Sequence, residues 1–153
     1  MTSSAAPIHQ RVLRRLIALL NRAGEAYGLE TLDSLDVDCG PETVLRPDAT
    51  VLPAVLTEGG PYPIPARHVR LVAEVLSRMT ARVDRILKPR VYAEAGIPHY
   101  LLVELEEPRV TWFGLAGLGA YEVRGVAIGD ERLVLAEPVA VEIVPSRLLR
   151  AWG

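Results

Sequence analysis

One segment of the sequence, residues 69–76, constrains the fold more than any other. It reads VRLVAEVL and is almost continuously apolar, which is the pattern of a β-strand covered on both faces. Glu74 stands in the middle of this strand. An isolated carboxylate in such a place is costly unless it is paired, protonated or bound to a metal. The segment therefore predicts a layered domain that contains a buried carboxylate in need of a partner.

The rest of the chain divides into helical and strand patterns. Apolar residues recur at helical spacing over residues 8–26, and a second helical stretch covers residues 80–95. Strand patterns cover residues 31–39, 43–52 (interrupted at Pro47-Asp48), 100–104, 109–115, 121–128 and 133–143, with a turn at Gly129-Asp130 between the last two. This order predicts an α/β or α+β domain with a mixed sheet flanked by helices and additional C-terminal strands. With 153 residues, we expect a flexible tail over residues 1–7 and a single domain over residues 8–153.

Composition excludes several classes of protein. The longest uncharged stretch, residues 110–121, has twelve residues, fewer than the ~18 of a membrane span. Cys39 is the only cysteine, which excludes an internal disulfide and a zinc site built from cysteines. The sequence has no glycine-rich phosphate loop, and its first residues have too short an apolar run for a secretory signal. We expect a cytoplasmic protein with no membrane span and no organic cofactor.

The basic residues are unevenly distributed. Sixteen of the 17 are arginines and Lys88 is the only lysine. Residues 67–90 contain seven basic and two acidic side chains, although the formal net charge of the chain is −2. This segment is either a solvated helix face or a surface that binds an anion such as a phosphate backbone. The single lysine is either chance or a place where arginine would fail, because only lysine offers a compact ammonium beside a reacting water.

Two acidic residues, Asp48 and Glu74, lie in apolar strand segments. If neighbouring strands bring them together, the two like charges need a cation or a proton to coexist. Oxygen ligands without cysteine or histidine suit Mg²⁺ or Mn²⁺. With a lysine beside the attacking water, such a set can hydrolyse a phosphodiester. A buried acid can equally pair with an arginine, so both interpretations stay open at this point.

The order of these residues resembles that of the Uma-two family, a bacterial branch of the PD-(D/E)XK nuclease superfamily. The resemblance is detailed over residues 45–110, where it is carried by RPDATVL and by LVAEVLSRMTARVDRILKPRVYAEAGIPHYLLVELEEPRV. It extends more loosely to the first helix with its His9 and to the closing VAVEIVPSRLL. The resemblance implies a restriction-endonuclease-like core: a helix, a three-stranded meander, a second helix and a further strand.

The resemblance also implies roles for individual residues. Asp48 and Glu74 would be the metal-binding carboxylates, and the carbonyl of Val75 a further ligand of Mg²⁺ or Mn²⁺. Leu76 occupies the position where the superfamily usually has its lysine, and Lys88 on the following helix would replace that lysine. Supporting residues that position the lysine would be Ser77 and Asp84. Phosphate contacts are expected from Arg78, Arg82 and Arg85.

Three further residues near these positions carry separate expectations. Pro89 directly follows Lys88, and a proline inside a helix removes a backbone hydrogen bond and disfavours helical geometry in the residue before it. Unless Pro89 opens a new helix, it would turn Lys88 away from the position that the family implies. We expect Tyr92 to contribute to helical packing. His9, near the start of the first helix, could face the site, but a capping or surface role is expected for it.

The predicted function is a divalent-metal-dependent endonuclease that hydrolyses DNA phosphodiester bonds. A homodimer is expected because the outer strands would leave sheet edges that need covering. The alternative is a catalytically weakened or inactive module on the same fold, acting as a nucleic-acid-binding or structural and regulatory homodimer. The short segment ahead of the first helix and Pro89 favour this alternative. The directions of the Asp48, Glu74 and Lys88 side chains distinguish the two.

Overall fold

A computed structural model describes residues 6–77, 82–117 and 119–150, with only the backbone described for residues 82–84. These residues form three helices and eleven strands, together with three short 3₁₀ turns. The helices are α1 (Pro7–Gly24), α2 (Arg82–Glu94) and α3 (Pro145–Leu149). The strands are β1 (Leu29–Asp33), β2 (Val37–Gly40), β3 (Thr43–Leu45), β4 (Ala49–Pro53), β5 (Ile64–Pro65), β6 (Leu71–Leu76), β7 (His99–Glu104), β8 (Arg109–Leu115), β9 (Tyr121–Ile128), β10 (Leu133–Leu135) and β11 (Val141–Ile143).

The main sheet has six strands in the order β1-β4-β6-β7-β8-β9. Strands β6 and β7 are parallel and are joined by α2, whereas the other neighbouring pairs are antiparallel. Two smaller sheets accompany it, with the orders β3-β2-β5 and β10-β11. The predicted fold class, a mixed sheet flanked by helices with additional C-terminal strands, is confirmed.

Strand β6 is buried along its whole length, as its sequence predicts. Its side chains alternate between two apolar clusters because successive residues of a strand point to opposite faces. Ala73 and Val75 belong to the cluster that also contains Leu16 of α1. Val72 belongs to the cluster that also contains Tyr92 of α2. The two helices therefore cover opposite faces of the sheet, and β6 lies between them.

Helix α1 packs through a stripe of fully buried residues, Val12, Leu16 and Leu20, at the spacing of one helix face. Pro7 occupies the first turn, where its missing N–H would have no partner in the helix. Within the described residues, no helix is long and apolar enough to cross a membrane.

Two strand predictions are wrong in their extent. Residues 31–39 form two strands, because Ser34 adopts a φ of 55° and the Asp36 N–H donates to the Tyr62 hydroxyl. Residues 133–143 also form two strands, β10 and β11, which pair with each other. Pro138 lies between them, and a proline cannot donate to a sheet ladder. Strands β9 and β10, which lie on either side of Gly129-Asp130, belong to different sheets.

Strand β9 lies at one edge of the main sheet. Its exposed side chains include three large apolar ones, Val123, Val126 and Ile128. Unpaired edge strands with apolar side chains are the kind of surface that another chain can cover. The homodimer expected from the sequence stays a prediction.

Truncation of the buried stripe of α1 tests this packing. Leu16 is fully buried, so we expect Leu16→Ala to lower the free energy of unfolding by about 2–5 kcal/mol through lost burial and a cavity. Urea unfolding followed by circular dichroism measures it. The matched control is Val134→Ala at a site that is 63% exposed, where a change of about 0.5 kcal/mol or less is expected. Equal effects of the two substitutions would contradict the packing described for α1.

Candidate active site

The two predicted carboxylates lie side by side at one end of the central strands. Asp48 immediately precedes β4, whose Ala49 pairs with Ala73 of the antiparallel strand β6. The Asp48 N–H donates to Glu74 Oε1 at 3.2 Å, and the Val75 N–H donates to Asp48 Oδ2 at 2.8 Å. The interruption predicted at Pro47-Asp48 is present, because β3 ends at Leu45 and β4 begins at Ala49. This break frees the Asp48 side chain to reach the backbone of β6.

Glu74 is the buried member of the pair, with 3% of its surface exposed. Burial and the neighbouring charge of Asp48 raise the pKa of Glu74 to about 7, against the opposing influence of Lys88, Tyr92 and the Asp48 N–H. Burial raises a carboxyl pKa because it disfavours the charged form, and a second carboxylate acts in the same direction. Glu74 therefore keeps its proton to a higher pH than an exposed glutamate does, even with the Lys88 ammonium nearby.

Helix α2 brings two side chains to Glu74. The Lys88 Nζ lies 3.6 Å from Glu74 Oε2, and the Tyr92 hydroxyl donates to the same oxygen at 2.7 Å. The two residues are four positions apart, so they lie on one face of the helix. The role in helical packing expected for Tyr92 is therefore incomplete: its ring is fully buried, but its hydroxyl contacts the carboxylate.

Pro89 does not turn Lys88 away. It lies inside α2, which continues to Glu94. Because Pro89 has no N–H, the carbonyl four residues earlier lacks its usual helical partner. The helical path of the backbone is nevertheless kept, and the lysine next to the proline reaches Glu74. The expectation that Pro89 turns Lys88 away from the site is therefore wrong.

Helix α1 brings His9 to the other carboxylate. Its Nε2 lies 3.4 Å from Asp48 Oδ2, and the hydrogen bond to Asp48 is the largest cause of a raised His9 pKa. The other ring nitrogen, Nδ1, is buried with no hydrogen-bond partner among the described residues. His9 therefore faces the site through its contact with Asp48, and the capping or surface role expected for it is wrong. The helical spacing could have revealed this contact, because His9 lies three residues before Val12 on the buried stripe.

The oxygen atoms at this site suit a hard divalent cation. Asp48 and Glu74 supply carboxylates, and the Val75 carbonyl lies beyond the last β4–β6 pair, Ala49–Ala73. In a strand, the N–H and carbonyl of one residue point towards the same neighbour, so this carbonyl points to the Asp48 side. In the described parts of the chain, no three acidic, histidine or cysteine side chains form a metal-ligating cluster. A cation would therefore depend on two carboxylates, this carbonyl and water, a set that fits Mg²⁺ or Mn²⁺.

Of the remaining predicted residues, the structure describes the side chains of Ser77 and Arg85. The Arg85 guanidinium donates to Glu104 Oε1 at 3.0 Å and to the Ser77 carbonyl at 3.3 Å. These contacts connect α2 to the carboxyl ends of β6 and β7. Arg78 lies outside the described residues, as do the side chains of Arg82 and Asp84. The phosphate contacts and the supporting roles predicted for this group stay predictions.

Comparisons with known proteins agree with this architecture. The structure is similar to the crystal structure of a protein from Anabaena variabilis described as "a putative nuclease belonging to DUF820". The TM-score is 0.69 at 13% sequence identity, and the match covers 90% of this chain and 76% of the other. At this identity the likeness shows the fold alone. No curated protein matches the sequence. The family model described as "Putative restriction endonuclease" matches residues 1–146, and the chain therefore belongs to the Uma2 (Uma-two) family of restriction-endonuclease-like proteins.

Proposed function

We propose that this protein is a divalent-metal-dependent endonuclease that hydrolyses DNA phosphodiester bonds. The observation that carries the proposal is the convergence of Asp48, Glu74 and Lys88 at one end of the sheet. A buried carboxylate with a purely structural role is usually balanced by one basic side chain. Here a second carboxylate, Asp48, lies beside Glu74 together with Lys88. Membership of a nuclease family supports the same reaction. DNA is the proposed substrate, and Mg²⁺ or Mn²⁺ the proposed cofactor.

Asp48, Glu74 and the Val75 carbonyl would hold the cation. When bound, a divalent cation supplies charge stabilisation for the scissile phosphate and lowers the pKa of a water molecule. The Val75 N–H and the Tyr92 hydroxyl fix the two carboxylates by hydrogen bonds. Such supporting contacts matter because they set the direction of ligand oxygens before the ligand arrives. His9 places a further hydrogen-bonding group beside Asp48, and this group is positively charged when the imidazole is protonated.

Lys88 would act on the attacking water and on the charge that develops at the phosphate. Its Nζ is near Glu74 Oε2, and its side chain is partly exposed, so the ammonium can face both the carboxylate and an incoming phosphate. A compact ammonium placed before the reaction stabilises developing negative charge without reorganisation. An arginine at this position would carry its charge on a larger, planar group. This difference gives the single lysine of the chain a specific role.

Substitution of the three residues tests the proposal. We expect Asp48→Asn, Glu74→Gln and Lys88→Met each to lower the rate of plasmid cleavage with Mg²⁺ by about 100-fold or more, the scale of lost electrostatic or acid–base catalysis. Lys88→Arg should be similarly impaired because the guanidinium cannot replace the ammonium geometrically. Removal of the metal with EDTA should abolish cleavage by the wild-type protein.

Glu58→Gln is the matched control for these variants. Glu58 is exposed and follows the end of β4 that is opposite Asp48, so this substitution should leave cleavage unchanged. Folding of each variant is checked by circular dichroism. A well-folded wild-type protein that binds DNA but cleaves none with Mg²⁺ or Mn²⁺ would contradict the endonuclease and leave the nucleic-acid-binding alternative. A protein that neither binds nor cleaves DNA would leave the structural alternative.

The raised pKa of Glu74 predicts a pH dependence of stability in the metal-free protein. Folding raises this pKa from 4.5 to about 7, so the folded state binds more protons between these values. The contribution of Glu74 to stability is therefore fully present at low pH and is lost as the pH rises through 7. We expect this loss to amount to about 2–3 kcal/mol between about pH 5 and about pH 8. Urea unfolding in EDTA at the two pH values measures it.

Glu74→Gln isolates this contribution, because the amide does not titrate. Between about pH 5 and about pH 8, the free energy of unfolding of the variant should fall by about 2–3 kcal/mol less than that of the wild type. His9 titrates in both proteins and so largely cancels from the difference. Glu58→Gln again serves as the control and should keep the wild-type dependence. If the free energy of unfolding changes equally with pH in the wild type and in Glu74→Gln, burial does not raise the pKa of this carboxyl.

A further inference from the structure

A groove lies between α1 and the end of β1. It has a volume of about 390 Å³ and is lined by Gln10, Leu13, Arg14, Ile17 and Asp33. This volume is within the range of about 300–1,000 Å³ that is typical of small-ligand sites. The four α1 residues follow the i, i+3, i+4, i+7 spacing of one helix face. Helix α1 thus forms one wall of the groove, and the last residue of β1 forms the other.

Each wall of the groove contains a residue that is next to a residue of the candidate active site, either along the chain or across the sheet. Gln10 follows His9, which contacts Asp48. Asp33 pairs across the sheet with Ala49, which follows Asp48. The end of β1, the start of β4 and the end of β6 lie side by side at one end of the sheet. The groove lies beside the first of these, the end of β1. A strand of nucleic acid whose scissile phosphate lies at Asp48 and Glu74 can reach this groove by passing the end of the sheet where Asp33 pairs with Ala49.

The chemistry of the lining suits a nucleotide. Arg14 is exposed, and none of the ion pairs formed among the described residues includes Arg14 or Asp33. A guanidinium binds phosphate oxygens strongly, and often through two parallel hydrogen bonds. Leu13 and Ile17 are partly buried apolar side chains, which can contact the face of a base. The carboxylate of Asp33 would repel a phosphate, so the phosphate would lie on the Arg14 side.

We propose that this groove binds the nucleotide next to the scissile phosphate, with Arg14 holding its phosphate and Leu13 and Ile17 contacting its base. This inference rests on the proposed endonuclease function and adds a substrate-binding residue outside the positive segment 67–90. Arg14 is a binding residue that positions the strand and takes no part in bond cleavage.

Two measurements on the full chain test the role of Arg14. The first is the affinity for a fluorescein-labelled DNA oligonucleotide, measured by fluorescence anisotropy with Ca²⁺ in place of Mg²⁺. We expect Arg14→Ala to raise Kd by about tenfold, the value of one charged hydrogen-bond contact. The slope of log Kd against log salt should fall by about one, because one phosphate contact is lost. The second is cleavage with Mg²⁺, in which KM should rise while kcat stays unchanged.

Arg22→Ala is the matched control. Arg22 is also an exposed arginine of α1, eight residues and therefore about 12 Å further along the helix. We expect its Kd, its salt dependence and its KM to match those of the wild type. Thermal unfolding of both variants should match the wild type, because neither side chain is buried.

The outcomes separate this inference from the proposed function. If the wild type binds and cleaves DNA but Arg14→Ala behaves like Arg22→Ala, the groove assignment is wrong and the endonuclease stands. If Arg14→Ala lowers kcat without changing Kd, Arg14 acts on the reaction and not on binding, which also overturns the inference. If the wild type neither binds nor cleaves DNA, the proposed function fails and the inference fails with it.

Discussion

The buried carboxylate of Glu74 is the constraint on which the rest of the structure depends. The central strand β6 is apolar on both faces, and a carboxylate inside such a strand is stable only with partners. Those partners come from both sides: the Asp48 N–H from the residue just before β4, and Lys88 and Tyr92 from α2. Their positions follow from the crossover that makes β6 and β7 parallel. The core and the candidate active site are therefore parts of a single arrangement.

The same arrangement explains why the site opens at one end of the sheet. Asp48 lies where β4 has not yet begun to pair, so its side chain accepts the Val75 N–H in place of a strand partner. Helix α1 approaches from the opposite face and places His9 beside Asp48. The groove between α1 and the end of β1 is lined by Asp33, which pairs with Ala49 next to Asp48.

Much of the fold could be predicted because its signals are local. Continuous apolar residues predict β6, helical spacing predicts α1, and Pro47 predicts the break before β4. The two errors in strand extent lie at turns. The positive φ of Ser34 divides one predicted strand, and pairing of β10 with β11 replaces the single strand expected over residues 133–143. Neither depends on a pattern of apolar residues, because a turn is set by backbone geometry and by hydrogen bonds to distant side chains.

The sequence by itself determined the layered domain, the two carboxylates, the single lysine and the resemblance to a nuclease family. Only the tertiary structure decided which side chains meet. His9, Glu74 and Tyr92 are far apart in the chain, and no local pattern specifies the angle at which two helices cross a sheet. The packing of α1 and α2 against opposite faces of β6 sets those angles. It also decided that Lys88 reaches Glu74 although Pro89 follows it, because a helix held by buried contacts can keep its path without one backbone hydrogen bond.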